Sequence, residues 1–227
     1  VVLTPQGQRL FEAVAEPIDA IEHALRRLGA RTDNLLTLSL IPSMGTAWLV
    51  PRLPGFLSRH PELGLSLQSS THVVDFEREP VDAALRLGAG HWPGVTAEFL
   101  FDEWIMPVAS PDFIARHGKP SLATIATLPL LGDPANRWRD WFAAFGGTAP
   151  SRYVAVFDDT ETLHQAAAQG LGIALARQTL AQPLIDNGRL VPLTRKRLKP
   201  DFAHYLVYPE RSRQHPGFQT LRGWLLE

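Results

Sequence analysis

Leu35-Leu36-Thr37-Leu38-Ser39-Leu40-Ile41 is the stretch that decides the fold. It is apolar apart from one threonine and one serine, a composition typical of a buried strand. Pro42-Ser43-Met44-Gly45 ends this strand, a helix is predicted from about Thr46 to Arg59, and Leu63 to Ser69 alternates as a second strand. A strand, a helix and a second strand in this order indicate an α/β fold.

The same alternation continues along the rest of the chain, beginning with a third strand at 81–87. The further predicted strands are 96–101, 104–109, 128–132, 153–157, 173–176, 189–193 and 204–208. The further predicted helices are 110–118, 137–145, 160–169 and 216–226. This pattern favours an α/β architecture with a largely parallel sheet.

The composition bounds the class of protein. With 227 residues, of which 45% are hydrophobic, the chain is long enough for one large domain or two small ones. A net charge of −1 predicts that the chain alone binds nucleic acid poorly, because phosphate contacts dominate that affinity. The absence of cysteine excludes a disulfide scaffold and any thiolate metal site. No apolar run approaches the roughly 18 residues of a membrane span.

A heptad pattern precedes the first strand. Apolar residues alternate three and four positions apart over three heptads: Phe11, Val14, Ile18, Ile21, Leu25 and Leu28. Such a seam predicts a dimerisation helix or, on periodicity alone, an amphipathic helix packed on its own domain. Thr4 is predicted to cap this helix, with Pro5 in its first position. Because a mature chain rarely begins with valine, Val1 is expected to be a cut within a longer protein.

Several short motifs occur in an order similar to that of LysR-type transcriptional regulators. They are Leu49-Val50-Pro51-Arg52-Leu53 with Phe56 and His60-Pro61, Val81-Asp82-Ala83-Ala84-Leu85-Arg86 with Gly88, Ser110-Pro111, and Gly170 with Gly172-Ile173-Ala174-Leu175. Trp92-Pro93-Gly94 and Trp138 with Trp141 resemble the branch of glycine-cleavage and β-lactamase regulators. The lead-in from Val1 to Gly7 resembles the end of a winged helix-turn-helix domain. The chain thus resembles a linker helix followed by an effector-binding domain.

This resemblance implies a two-lobed effector domain, like a type 2 periplasmic binding protein, after a long coiled-coil linker helix. Residues 1–31 would form the end of the wing and the linker, residues 33–107 with 208–227 lobe one, and residues 108–207 lobe two with a crossover strand. The resemblance further implies a bacterial cytoplasmic homodimer or homotetramer that binds DNA through a preceding domain, with no membrane association and no cofactor. A metabolite in the cleft between the lobes would modulate DNA binding.

The effector site is expected where strands end and helices begin, because helix starts offer free N–H groups that suit anions. The residues predicted to bind the effector are Ser43, Met44, Gly45, Ser70, Thr71, Asp158, Asp159, Thr160 and His204. Ser43 is alternatively a simple N-cap. One of the two aspartates is expected to cap the next helix, leaving the other to favour an amine or hydroxyls. The predicted effector is therefore anionic and amino-acid-like or peptide-like.

Two further side chains have open interpretations. The resemblance places one side chain of the late strand in the cleft, and strand alternation allows only one of His204 and Tyr205 to point inwards. We favour His204. Arg86 follows an apolar strand and is either a paired structural arginine or a carboxylate clamp.

The sequence argues against an enzyme. The eight histidines are scattered without the short spacing of a zinc motif, and there is no nucleophile elbow and no phosphate-binding P-loop. We therefore predict no catalytic and no metal-binding residues. The alternatives are a solute-binding protein of an ABC transporter, which shares the two-lobed fold but needs an export signal, and a dimerisation module without an effector.

Overall fold

The computed structural model describes residues 4–7, 14 and 35–227. These residues include the first turn of the predicted N-terminal helix and one position of the heptad pattern. Thr4 caps this turn as predicted, because its Oγ1 accepts the N–H of Gly7 at 3.1 Å. Val14 is helical and exposed. The other predicted seam residues, Phe11, Ile18, Ile21, Leu25 and Leu28, lie outside the described residues, so the coiled coil stays a prediction.

Ten strands and seven helices follow within residues 35–227. The strands are β1 (Leu35–Leu40), β2 (Gly64–Ser69), β3 (Ala83–Gly88), β4 (Thr96–Asp102), β5 (Ile105–Ala109), β6 (Leu131–Gly132), β7 (Ala155–Val156), β8 (Ala174–Arg177), β9 (Val191–Pro192) and β10 (Ala203–Tyr208). The helices are α1 (Pro42–Met44), α2 (Leu53–Arg59), α3 (Pro111–His117), α4 (Arg137–Phe145), α5 (Thr160–Ala168), α6 (Gln178–Asp186) and α7 (Pro216–Leu226). None of these described helices has the length and apolar character needed to cross a membrane.

The first sheet has the strand order β2-β1-β3-β10-β4. Strand β1 is parallel to β2 and β3, whereas β10 is antiparallel to both β3 and β4. Four of the five strands therefore point the same way, so this sheet is largely parallel, as predicted, with β10 as its one antiparallel strand. Strand β10 enters this sheet from the distant end of the chain, and strand order along the sequence carries no information about its direction.

The segment between β1 and β2 is helical throughout but irregular. A π-helical turn (Gly45–Leu49) and a 3-10 turn (Val50–Arg52) connect α1 to α2. Pro51 and Pro54 cannot donate a backbone hydrogen bond, so a regular α-helix cannot pass through this region. We expected a helix from Thr46 with the prolines in a distorted first turn. The segment instead begins at Pro42, and the prolines lie in its middle.

We call the first sheet and the helices packed on it the first lobe. The second lobe contains a sheet of order β8-β5-β9 and a short parallel pair of β6 and β7. Helix α4 packs onto it through Trp138, Trp141 and Phe142, all of them buried. The Nε1–H of Trp138 donates to the carbonyl of Leu131 at 2.8 Å, which ties this helix to β6.

Two neighbouring connections join the first sheet to the second. The chain leaves β4 and enters β5 after two residues, and it returns between β9 and β10. Ile105 and Leu198 exchange backbone hydrogen bonds of 2.8 and 2.9 Å, and Lys199 Nζ lies 2.6 Å from Asp102 Oδ2. The two connections therefore run side by side, and we call this pair of connections the hinge.

Candidate functional site

Helix starts from both lobes meet beside the hinge. Helix α1 lies against α5, and the π-helical turn lies against α6. Leu180 of α6 is buried in the same apolar cluster as Met44 and Leu49. The two lobes are therefore in direct contact at this place, which we call the interlobe contact, and the polar groups around it form the candidate site.

The first predicted group, Ser43 to Gly45, is buried at this contact. The N–H groups of Met44 and Gly45 both donate to the carbonyl of Ile41, at 3.0 and 3.1 Å. The prediction that these two N–H groups are free for a ligand is wrong, because the helix begins four residues earlier than expected. Ser43 is also not an N-cap, since Ile41 occupies that position. What remains available to a ligand here is the Ser43 hydroxyl.

Ser70 and Thr71 follow β2 and lie next to this first group. Strands β1 and β2 are parallel and end together, so that the N–H of Ser70 donates to the carbonyl of Leu40 at 2.9 Å. Ser70 Oγ accepts the N–H of His72 at 3.0 Å, and Thr71 is exposed. The sheet register therefore brings the first two predicted groups to one edge of the first lobe.

The third predicted group, Asp158 to Thr160, lies at the start of α5. Asp159 is the cap, because its Oδ2 accepts the N–H of Thr162 at 2.7 Å and the Thr162 hydroxyl at 2.8 Å. Asp158 is exposed. One aspartate caps the helix and the other remains open, as predicted. Since α5 lies against α1, this group lies across the interlobe contact from Ser43.

His204 is fully buried at the hinge, where it pairs with a residue that we did not predict. Its Nε2 lies 2.8 Å from Oε2 of Glu103, which is also fully buried. Glu103 Oε1 accepts the N–H of Trp104 at 2.9 Å, and the His204 ring stacks on Phe101. Tyr205 lies on the opposite face of β10, against Trp92. Glu103 belongs to one connection and His204 is the second residue of the strand that follows the other, so this pair couples both parts of the hinge.

A partly buried polar cluster lies behind the interlobe contact in the second lobe. It consists of Asp133, Arg137, His164, Arg177 and Gln178. The N–H of Arg177 donates to Nε2 of His164 at 3.3 Å, and Arg137 Nε lies 3.2 Å from Asp133 Oδ2 without the alignment of a hydrogen bond. Four buried atoms of this cluster have no hydrogen-bond partner among the described residues: Asp133 Oδ1, Arg137 Nε, His164 Nδ1 and Gln178 Oε1.

Burial sets the charge states of this cluster. It lowers the pKa of His164 to about 3, with help from the positive charges of Arg177 and Arg137. His164 is therefore neutral at pH 7, and since its Nε2 is an acceptor, its proton resides on Nδ1. Burial and Arg137 lower the pKa of Arg177 to about 10, opposed by Glu103 and Asp133, so Arg177 remains a cation. Strand pairing places Arg177 opposite Ile105, two residues after Glu103, so the hinge pair and the cluster lie near each other.

The cluster combines cations, a free N–H donor and free oxygen acceptors, which is the chemistry of a site that binds a polar molecule. No group of three or more potential metal ligands occurs within the described residues. Sequence reasoning missed this cluster because its members come from distant parts of the second lobe. The sequence did contain one indication of this cluster. Arg177 and Gln178 follow a predicted apolar strand, as do the predicted site residues Ser43 and Asp158.

Comparisons with known proteins agree with this geometry. Residues 29–227 match the LysR substrate binding domain. The chain is 33% identical to the glycine cleavage system transcriptional activator of Escherichia coli K12, over 100% of this chain and 75% of that protein. It is 30% identical to the HTH-type transcriptional activator AmpR of Rhodobacter capsulatus, over 99% of this chain and 78% of that protein.

Solved structures show the same fold. The effector domain of the transcriptional regulator AmpR of Pseudomonas aeruginosa superposes with a TM-score of 0.74 at 29% identity, covering 85% of this chain and 94% of that one. The LysR-type regulator CrgA of Neisseria meningitidis has a TM-score of 0.72 at 25% identity, covering 99% of this chain and 79% of that one.

The two lobes and the contact between them therefore define an effector-binding domain with the type 2 periplasmic-binding-protein-like fold. The chain belongs to the LysR family, and it is the ligand-sensing part of a LysR-type transcriptional regulator. This confirms the resemblance seen in the sequence. The solute-binding alternative is not supported, because the relatives are regulators of transcription, and this family is not one of enzymes.

Proposed function

We propose that the effector is a small polar metabolite with an anionic group, bound at the interlobe contact. The observation that carries this proposal is the half-buried cation Arg177, which lies among polar atoms without partners and near the hinge pair. A cation that is partly removed from water gains from an anion that reaches it, because the surroundings screen the interaction less than water does.

The anionic group belongs at Arg177 rather than at the helix starts. In α1 the N–H groups of Met44 and Gly45 are already used, and at α5 the carboxylate of Asp159 already occupies the helix start. A second negative charge next to Asp159 is unfavourable, since like charges repel. We therefore assign the anion to the Arg177 side of the contact.

The rest of the molecule would be held by hydroxyls and by one carboxylate. Ser43, Ser70 and Thr71 form the wall on the first lobe, and Thr160 lies opposite them on the second. Asp158 is exposed and makes room for an amine on the effector. An amino-acid-like or peptide-like metabolite fits this arrangement of charges.

Binding would act on DNA through the hinge. A ligand shifts an equilibrium between two lobe arrangements only by its difference in affinity for them. A molecule that contacts both lobes beside the Glu103–His204 pair has such a difference, because any change at the hinge alters half of its contacts. Movement there would pass to the helix that precedes the first lobe.

We also propose the assembly of the whole regulator. The two lobes would comprise residues 33–107 with 208–227, and 108–207. The seam from Phe11 to Leu28 would pair with a second copy to form a homodimer or homotetramer, and a preceding winged helix would bind DNA in the cytoplasm. The curated relatives support this proposal, since this chain spans about three quarters of their length.

A thermal-shift screen with amino acids, dipeptides and short carboxylic acids tests the effector site. A ligand at about 100 times its dissociation constant adds roughly 2.7 kcal/mol to stability. We expect Ser43→Ala and Arg177→Met to weaken the strongest hit by about tenfold or more in calorimetry. The matched controls Thr46→Ala and Arg189→Met change exposed residues and should leave the affinity unchanged. Equal affinity in all four variants would remove the effector from this contact.

A further inference from the structure

A cavity of about 390 Å³ lies in the first lobe, on the face of the sheet opposite to α2 and α7. Its floor is formed by Ala84, Arg86 and Val207 on β3 and β10. The loops 73–77 and 92–95 cover it, and they contribute Phe76 and Trp92. None of the residues predicted to bind the effector lines this cavity, whose volume is within the range of small-ligand pockets.

The floor of the cavity contains a buried arginine that lacks an ion pair. Arg86 is 7% exposed, and no carboxylate of the described residues lies within 4.0 Å of its guanidinium. Its terminal nitrogens donate to four neutral oxygens: Ser39 Oγ at 2.7 Å and the carbonyls of His72, Leu85 and Ser70 at 2.9, 3.3 and 3.4 Å. These bonds use all four terminal N–H groups, so the Nε–H is left for another acceptor.

A second arginine lines the same cavity with the same kind of partners. Arg211 donates to the carbonyls of Phe76 at 2.5 Å and Val81 at 3.0 Å. It also forms no ion pair with a described residue. Two acidic side chains of the neighbouring loop have other partners. Asp75 accepts a backbone N–H of its own loop and pairs with Arg78, and Glu79 accepts the N–H of Asp75.

Arg86 therefore bears the cost of burial without a nearby counter-charge. Burial lowers its pKa, and the more distant Glu79 opposes this only in part. Buried charges are normally paired with an opposite charge, so an arginine held only by neutral oxygens beside a cavity is favourable for an anion. The lining also includes two acidic residues of the covering loop, Asp75 and the exposed Glu77, and the rest of it is apolar, with valine, proline and aromatic side chains.

We propose that this cavity binds a small monocarboxylate with an aromatic or branched aliphatic body, whose carboxylate accepts the Nε–H of Arg86. The apolar body lies between Phe76, Trp92 and the floor, and Arg211 supplies a second positive charge at the edge. The site is separate from the interlobe contact and does not depend on the function proposed for it. It touches that region only through Arg86, which holds Ser70 and His72 in place.

Isothermal titration calorimetry with 3-phenylpropionate tests the proposal on the chain itself. Its amide, 3-phenylpropanamide, has the same body without the charge, and we expect it to bind about tenfold to a hundredfold more weakly, the loss of a charge-assisted hydrogen bond. Ala84→Leu fills the cavity and keeps Arg86, and it should abolish measurable binding. Ala115→Leu makes the same change at an exposed position of α3 and should leave the affinity unchanged.

Two further variants keep the test decisive. Val73 is exposed at the cavity mouth, so Val73→Glu should leave folding intact and still weaken the acid but not the amide. Ser43→Ala should have no effect, whereas a loss of binding in this variant would assign the probe to the interlobe contact and overturn the proposal. Unchanged affinity in Ala84→Leu would also overturn it, as would failure of the wild-type chain to bind both 3-phenylpropionate and 4-methylpentanoate.

Discussion

Replacing Glu103 by alanine tests how much the hinge depends on one buried pair. Glu103 and His204 are both 0% exposed, and the carboxylate accepts hydrogen bonds from His204 and from the N–H of Trp104. Glu103→Ala removes both acceptors and leaves buried donors without partners. Breaking a buried pair in this way costs about 3–5 kcal/mol. For a chain of this size that corresponds to a fall in Tm of about 6–20 °C.

The neighbouring acid provides a matched control. Asp102 also bridges the two connections of the hinge, through Lys199 at 2.6 Å, but these two side chains are 40% and 48% exposed. An exposed pair contributes about 0–1 kcal/mol, so Asp102→Ala should have little effect. The assay is urea unfolding followed by tryptophan fluorescence, with the free energy of unfolding extrapolated to water. If both variants lose the same free energy, burial of the Glu103–His204 pair does not stabilise the hinge and the reasoning is wrong.

The remaining predictions concern α5 and its cap. Asp159→Ala should lower the free energy of unfolding by about 1 kcal/mol, because it removes the N-cap, whereas Asp158→Ala should change it by less than about 0.5 kcal/mol. Urea unfolding of the two variants checks this, and equal losses would contradict it. His164 has a folded-state pKa of about 3 against an ordinary value of 6.5, so its contribution is complete above about pH 6.5 and is lost as the pH falls towards 3. Between pH 7 and 5 the wild type should therefore lose about 2 kcal/mol more than His164→Gln, which keeps an acceptor but does not titrate. Parallel losses of stability in the two proteins would refute the assignment of a buried neutral imidazole.

Local signals in the sequence predicted many of the elements but not how they pair. The bounds of α4 and α7 agree with the prediction, because Arg137 to Phe145 ends before a glycine and Pro216 opens the last helix. Helix α6 was missed, since Pro183 reads as a helix breaker. The helix tolerates it, and Leu180 and Ala181 are buried beneath this helix, so tertiary packing outweighs the lost hydrogen bond.

Only those residues of the candidate site that directly follow a strand could be predicted from the sequence. Ser43, Ser70 and Asp158 follow apolar runs, and their grouping follows from strands that end together and helices that meet. The engaged N–H groups of Met44 and Gly45 depend on where the helix begins, and helix boundaries are the least certain part of a sequence-based prediction. The pairing of Glu103 with His204 joins residues about a hundred positions apart, and no local pattern encodes it.

The most direct test of the central claim is a crystal structure of the chain with the strongest ligand from the thermal-shift screen. We predict that the ligand lies at the interlobe contact, touching Ser43 on one lobe and the Arg177 cluster on the other, with its anionic group towards Arg177. A ligand found only elsewhere, with Ser43 and Arg177 free of it, would contradict the claim that this contact senses the effector.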